Sequence, residues 1–358
     1  MSFFRADLRH DGQKLTRSAP ASQTSAKIHS PPRDSPASVA GAFLKQPAES
    51  ADVVASPEAR PSTLRRIAGV VRTVRPHQWV KNVFVLAPIV FAKEMFSPFV
   101  LTRATSAFLV FCLLAGAVYA MNDIADRDAD RVHPVKRRRP IASGLVPLSW
   151  AYALSAGLVV VSLAWSLSLG LAFALVALVY FGQNVWYSFQ LKHVAYLDVA
   201  CIAAGFVLRV MGGGYATAIQ ISNYLLACTA LLALFLGFGK RRHELAAAEA
   251  NAVAQRASLE AYTRRGLDLA LTLSALATVA AYLAYTLDSH TREFFHSDYL
   301  WVSTVFVVLG VLRFLHIVKN RPQAESPTQE MLHDGPFVGI VLGWVVLVLW
   351  LVYNLRPS

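Results

Sequence analysis

ATSAFLVFCLLAGAVYAMNDIADRDADRVHPVKRRR, residues 104–139, decides the fold in three consecutive pieces. Residues 104–121 are apolar and close to the ~20 residues a helix needs to cross a bilayer. Asn122, Asp123, Asp126 and Asp130 follow at once, and then Arg131, Lys136, Arg137, Arg138 and Arg139. An apolar run ending in a short basic connection is the repeating unit of a polytopic helical membrane protein.

The unit recurs along the chain. Apolar runs lie near 79–96, 104–121, 147–165, 170–187, 195–212, 221–238, 267–287, 299–317 and 336–354. The third and fourth are continuous and divide at Ser166–Gly170, because one helix of that length would far exceed the bilayer. The expected fold is therefore all-α, a bundle of about nine transmembrane helices. Composition agrees: 16% of residues are charged, against about a quarter in soluble domains.

Residues 1–60 carry Pro20, Pro31, Pro32, Pro36, Pro47 and Pro57 among Ser and Ala, with no apolar core of signal-peptide length. They read as a disordered cytoplasmic tail, leaving 61–358 as one transmembrane catalytic domain. Residues 61–76 predict an amphipathic surface helix with Arg65, Arg66, Arg72 and Arg75 toward lipid headgroups. The Gly212-Gly213-Gly214 run is expected to end the fifth span and to allow close backbone approach.

Charge sets the orientation. The loops after the second and sixth spans hold Arg127, Arg131, Lys136, Arg137, Arg138, Arg139, Lys240, Arg241, Arg242, Arg256, Arg264 and Arg265, and those after the fourth and eighth hold Lys192, Lys319 and Arg321. The opposite loops hold only Lys93, Arg103 and Arg292. This bias places the N-terminus and the basic loops in the cytoplasm, at an inner cell membrane of bacterial type. The net charge of +12 thus faces a membrane surface or phosphorylated substrate, and nucleic acid is excluded as a partner. Cys112, Cys201 and Cys228 all lie within apolar runs without metal or disulfide spacing, as packing residues do.

The chemistry concentrates beside the second span. On a helix, Asp123, Asp126 and Asp130 sit at i, i+3 and i+7 and share a face. Carboxylates so placed repel one another, and a hard divalent cation such as Mg2+, with Asn122 as a further oxygen ligand, relieves that repulsion. A solvated acidic helix end is the bland alternative. Lys136 and Arg139 suit phosphate oxygens but also serve as topology anchors. Asp198 and Arg209 share a face of the fifth span, where ionisable groups are costly and face a partner or a cavity. Tyr187 and Lys192 precede them. Arg75, Gln78, Lys81 and Asn82 open the first span, and Lys240 and Arg241 close the sixth; each set admits an anchoring reading and a substrate-binding one.

The N-D-x-x-D-x-x-x-D motif, with R-P-x-Q-W-x-K-N at 75–82, Y-S-x-x-L-K-H at 187–193 and G-K-R-x-x-E-L at 239–245, resembles the UbiA superfamily of intramembrane prenyltransferases. The likeness covers residues 70–354 and points to the branch that moves a 5-phosphoribosyl group onto a polyprenyl (decaprenyl-type) phosphate. It implies helices around a central cavity open to lipid, and phosphoribosyl diphosphate entering from the cytoplasm. It further implies catalytic roles for Asp123, Asp126, Asp130, Lys192 and Asp198. The second aspartate-rich motif of the superfamily is reduced here to Asp198 beside Tyr187 and Lys192. An aromatic prenyltransferase of quinone synthesis and a membrane transporter stay open as alternatives, as do chain length and oligomeric state.

Overall fold

The computed structural model describes residues 62–251, 259, 261–320, 330–331 and 333–353, of which 248–251 in backbone only. The tail read at 1–60 lies outside this range, as do Arg256 and Arg321. Among the described residues all regular structure is helical.

Helix α1 (Thr63–Val74) starts at Ser62, whose hydroxyl accepts the Arg65 N–H. Its Leu64, Ile67 and Val71 are exposed while Gly69 and Thr73 are buried, the amphipathic split expected of an interfacial helix. Arg65 and Arg72 are exposed as expected. Arg75 is not: it turns inward, away from the headgroup side.

The next element corrects the expected span at 79–96. A 3-10 helix (Pro76–Leu86) runs into a short α2 (Ala87–Phe91). Pro88 removes the backbone donor that a continuous α-helix would direct to Phe84 O, at the point where the tighter helix gives way to α2. Among the described residues, eight further helices contain stretches long and apolar enough to cross a membrane. These are α3 (Pro98–Ala125), α5 (Leu148–Ser168), α6 (Leu171–Phe189), α7 (Leu197–Thr217), α8 (Asn223–Asn251), α9 (Arg264–Leu287), α11 (Thr304–Asn320, entered through a turn at Leu300–Ser303) and α12 (Gly335–Tyr353). Short α4 (Arg127–Val132) and α10 (Ser289–Phe295) lie in connections. The α5–α6 break falls where expected, at Gly170 with φ 118°.

Helix α3 is the most enclosed of the spans, and α12 the least. Phe111 on α3 packs edge-on against Phe173 and Tyr180 of α6, with Val85 of the 3-10 helix in the same cluster. At the far end of α3, Arg103 donates to the carbonyls of Ala216 and Leu169, both at 2.5 Å. It thereby satisfies acceptors that the helix ends leave open.

The glycine run does not end α7, which continues to Thr217. Its other expected role holds. A methyl on Gly213 would lie 1.9 Å from the Val85 carbonyl oxygen, and one on Gly212 2.5 Å from the Phe111 ring. The run is what lets the 3-10 helix lie directly on α7. Gly213→Ala is expected to cost about 1–3 kcal/mol, because the obstacle is backbone. Gly157→Ala, on α5 with open space around it, should be neutral or slightly stabilising. Thermal unfolding of both variants in detergent checks the contrast.

Candidate active site

The end of α3 carries its apolar surface into the acidic motif. The helix stops at Ala125, Asp126 caps it at φ −87°, ψ 3°, and α4 restarts at Arg127. The Asp126 N–H donates to Asn122 O (2.9 Å) and the Asp130 N–H to Asp126 O (2.8 Å), which carries the helical register across the break. Asp123 and Asp130 therefore meet one partner. Arg139 Nη1 lies 3.2 Å from Asp123 Oδ1 and 2.7 Å from Asp130 Oδ2. Both carboxylates are buried, at 2% exposure. Asp126 is half exposed and faces Lys192 Nζ at 3.9 Å.

Arg75 closes the same cluster from the other side. It has the left-handed conformation, φ 55° and ψ 61°, which costs a non-glycine residue roughly 1–2 kcal/mol. An ion pair with Asp123 (2.5 Å) and stacking over the Tyr119 ring (4.9 Å) hold it there. Half-buried Gln78 bonds back to it through its N–H, 2.9 Å from Arg75 O. Exposed Lys81 has Lys240, Arg209 and Arg75 as its charged neighbours, so cations crowd where this end of the chain meets α7 and α8.

Arg209 does not pair with Asp198. Its Nε donates to Asn82 Oδ1 (2.7 Å), Nη1 to Gly205 O (2.8 Å) and Nη2 to the Tyr180 hydroxyl (2.7 Å). The same guanidinium stacks over the Tyr180 and Phe206 rings. All three hydrogen-bond acceptors are neutral, so among the described residues this cation inside a membrane span is held in geometry without being cancelled in charge. Asn82, fully buried, completes its own bonding with Cys112 Sγ at 3.2 Å.

Asp198 and Arg241, expected to touch substrate, are instead closed inside the protein. Asp198 has no exposed surface and accepts from Arg241 Nε (2.7 Å), the Tyr262 hydroxyl (2.5 Å) and the Val199 N–H (2.8 Å). Arg241 also bonds Glu244, which in turn is near Lys240 Nζ at 3.8 Å. With donors on both oxygens, Asp198 serves as a latch joining α7, α8 and the segment before α9. Burial, followed by the Asp198 hydrogen bond, holds the Tyr262 phenol far above its ordinary pKa, so it remains a donor. Tyr187 is half-buried within electrostatic range of Arg241, while Lys136 is exposed on its loop.

The sequence pattern did not single out Tyr119, Tyr180, Gln183 or Tyr262. The first three sit in apolar spans where aromatic and amide side chains commonly pack, and Tyr262 enters only through a partner 64 residues away. The donor set of Asn122, Asp123, Asp126 and Asp130 consists of hard oxygen, and Arg139 Nη1 already places a positive nitrogen between two of its carboxylates. That chemistry fits a divalent cation. Among the described residues, no three such groups converge at metal-ligand spacing as they stand.

The UbiA prenyltransferase family profile matches residues 83–334. A decaprenyl-phosphate phosphoribosyltransferase of Mycobacterium tuberculosis is 39% identical over 303 residues, covering 84% of this chain and 97% of its own. Another, from Corynebacterium glutamicum, is 35% identical over 80% of this chain and 87% of its own. A UbiA homologue from Archaeoglobus fulgidus, solved with DMAPP and Mg2+ bound, shares the fold: TM-score 0.57, 18% identity, 80% of this chain and 99% of the other.

The latch makes a stability prediction. Asp198→Ala leaves Arg241 buried with a single acidic partner and should cost about 3–5 kcal/mol. Tyr262→Phe removes two hydrogen bonds, the one given to Asp198 and the one accepted from the Tyr196 N–H, and should cost about 1–3 kcal/mol. Melting temperatures in detergent should fall in that order.

Proposed function

The chain belongs to the UbiA prenyltransferase family, an integral membrane enzyme family, and we propose that it transfers the 5-phosphoribosyl group of phosphoribosyl diphosphate to a polyprenyl, decaprenyl-type, phosphate. Diphosphate is released. The observation that carries this reading is Arg209, a cation within the bundle whose hydrogen-bond partners are all neutral. Lys81, with Arg75, Arg209 and Lys240 around it, extends the same positive region. Uncancelled charge in a membrane span is costly unless an anionic ligand uses it. A donor with both a diphosphate and a 5-phosphate, meeting an acceptor phosphate, brings more negative charge than a prenyl diphosphate alone. The named relatives, at 35–39% identity over most of the chain, support the same substrates.

Asn122, Asp123, Asp126 and Asp130 would hold Mg2+, which when bound neutralises charge on a departing diphosphate. Everything else falls to side chains of the chain itself. Arg75 and Arg139 pair with Asp123 and Asp130 and orient them. Lys192, beside Asp126 at the exposed edge, is placed to take a phosphate oxygen from the aqueous side. Lys81 and Arg209 fix further phosphate oxygens, Arg209 by a guanidinium whose aim Asn82 and Tyr180 set. Heterolysis at the ribose C1 leaves positive charge on the ring, and an acceptor phosphate oxygen attacks there. That oxygen is already anionic at neutral pH, so no general base is needed. Gln78, Lys136, Tyr187 and Lys240 border this machinery, while Asp198 and Arg241 position it through the latch. The excess of Lys and Arg on the connections bearing these residues favours a cytoplasmic active site and N-terminus.

The test is transfer of radiolabel from phosphoribosyl diphosphate into lipid by purified protein supplied with Mg2+ and a polyprenyl phosphate. Lipid labelling is expected, to be lost on chelation and reduced more than ~100-fold in Asp123→Ala and Asp126→Ala. Label that stays in water across several lipid lengths, with transfer instead from a prenyl diphosphate to an aromatic acid, would overturn the phosphoribosyl reading.

A further inference from the structure

Helix α6 presents Tyr180, Gln183, Asn184 and Tyr187 at spacings of three, four and seven residues from the first, one stripe of the helix. On α7, Asp198, Cys201, Gly205 and Arg209 recur at three- and four-residue intervals. The two stripes face each other, since Tyr180 meets Arg209 and Gln183 Nε2 donates to the Cys201 carbonyl. That last bond fixes the amide. A carbonyl only accepts, so the nitrogen of Gln183 must face Cys201 and Oε1 must point elsewhere. Oε1 is then buried with no donor among the described residues. A buried acceptor left in this state is unfavourable and uncommon.

What borders that oxygen narrows its partner. Gly205 contributes no side chain there: a methyl built on it would stand 4.0 Å from Gln183 Oε1 and 3.4 Å from Arg209 Nη1. The small space between an unpaired acceptor and a guanidinium donor suits a group that donates to the first and accepts from the second. A phosphate oxygen accepts only. A hydroxyl does both.

We propose that Gln183 reads a hydroxyl of the transferred pentose, with Gly205 keeping the space for it and Arg209 Nη1 bonding the same oxygen. The inference rests on the phosphoribosyl reading above. It makes Gln183 a specificity-determining residue, one that distinguishes a hydroxylated sugar donor from a prenyl diphosphate, which has nothing to offer Oε1. Oε1 is covered, and entry of the hydroxyl requires Arg209 Nη1 to shift from the Gly205 carbonyl.

The experiment measures kcat/KM of the full chain with phosphoribosyl diphosphate and with its 2-deoxy and 3-deoxy analogues, in wild type, Gln183→Met and Gly205→Ala. Comparing ratios between proteins cancels the intrinsic reactivity of each donor. Wild type should disfavour one deoxy donor by roughly tenfold or more. Gln183→Met should lose a similar factor on the natural donor and no longer separate it from that analogue. Gly205→Ala should lose the same discrimination while melting no lower than wild type, because alanine favours the helix and the methyl meets only ordinary contacts. That combination would not arise from a merely structural role. If both variants retain the wild-type ratio, or if Gly205→Ala alone does so where Gln183→Met fails to fold, the space holds water and the proposal is overturned. A wild-type protein that transfers no phosphoribosyl group fails the earlier reading first, and this control separates the two failures.

Discussion

A carboxylate near the hydrocarbon of a membrane has to be neutralised by something, and Asp123 is such a carboxylate. It sits at the end of the most enclosed span with almost no exposed surface. Leaving it unpaired would cost several kcal/mol, so the chain on both sides of α3 is drawn toward it. Arg75 arrives from the junction of α1 and the 3-10 helix, and Arg139 from the connection to α5. One acidic side chain thereby fixes an interfacial helix before the span and a loop after it. The left-handed backbone at Arg75 is tolerated because the ion pair and the Tyr119 ring hold it from outside the turn.

Saturation then separates charges that build the protein from charges left for a ligand. Asp198 has donors on both oxygens and no exposed surface, so its energy goes into holding α7 and α8 together. Arg209 lies three turns further along the same helix and makes as many hydrogen bonds, yet all to neutral acceptors. Its position is fixed, and no acidic side chain among the described residues cancels its charge. A lysine there would present one compact ammonium, whereas the planar fork of arginine can keep Nε on Asn82 while an Nη turns to an incoming oxygen.

Much of this was legible before the structure. Eight of the nine apolar runs correspond to long helices, since length and composition alone are sufficient for a span. The run at 79–96 is expected as one transmembrane helix, and hydropathy takes no account of Pro88, which lies where the 3-10 helix gives way to a short α-helix. The glycines at 212–214 signalled close approach correctly and termination wrongly; packing against Val85 and Phe111 explains their use, and the helix tolerates them. At the site, local spacing revealed the acidic motif because its members are neighbours in sequence. The Asp198–Arg241 pair joins residues 43 apart, whereas the spacing of Asp198 and Arg209 shows only that those two share a face of α7. Periodicity shows which residues share a face, but not what comes to meet it.

The pairing of Arg139 with Asp123 and Asp130 also bears on how the proposed reaction is organised. Arg139 Nη1 occupies the position between Asp123 and Asp130, so a divalent cation bound by those carboxylates competes with it. Like charges at that separation repel, so the same two carboxylates would not hold guanidinium and metal alike. The arginine backbone is tied into the turn before α5 through Arg139 N on Lys136 O and Ser143 N on Arg139 O. Its guanidinium would therefore stay beside the acidic motif, where a phosphate oxygen of the proposed donor is an anion it suits. On this reading the arginine that pairs with Asp123 and Asp130 would also supply a phosphate contact. The acidic motif and the basic loop that follows it would then work as one device.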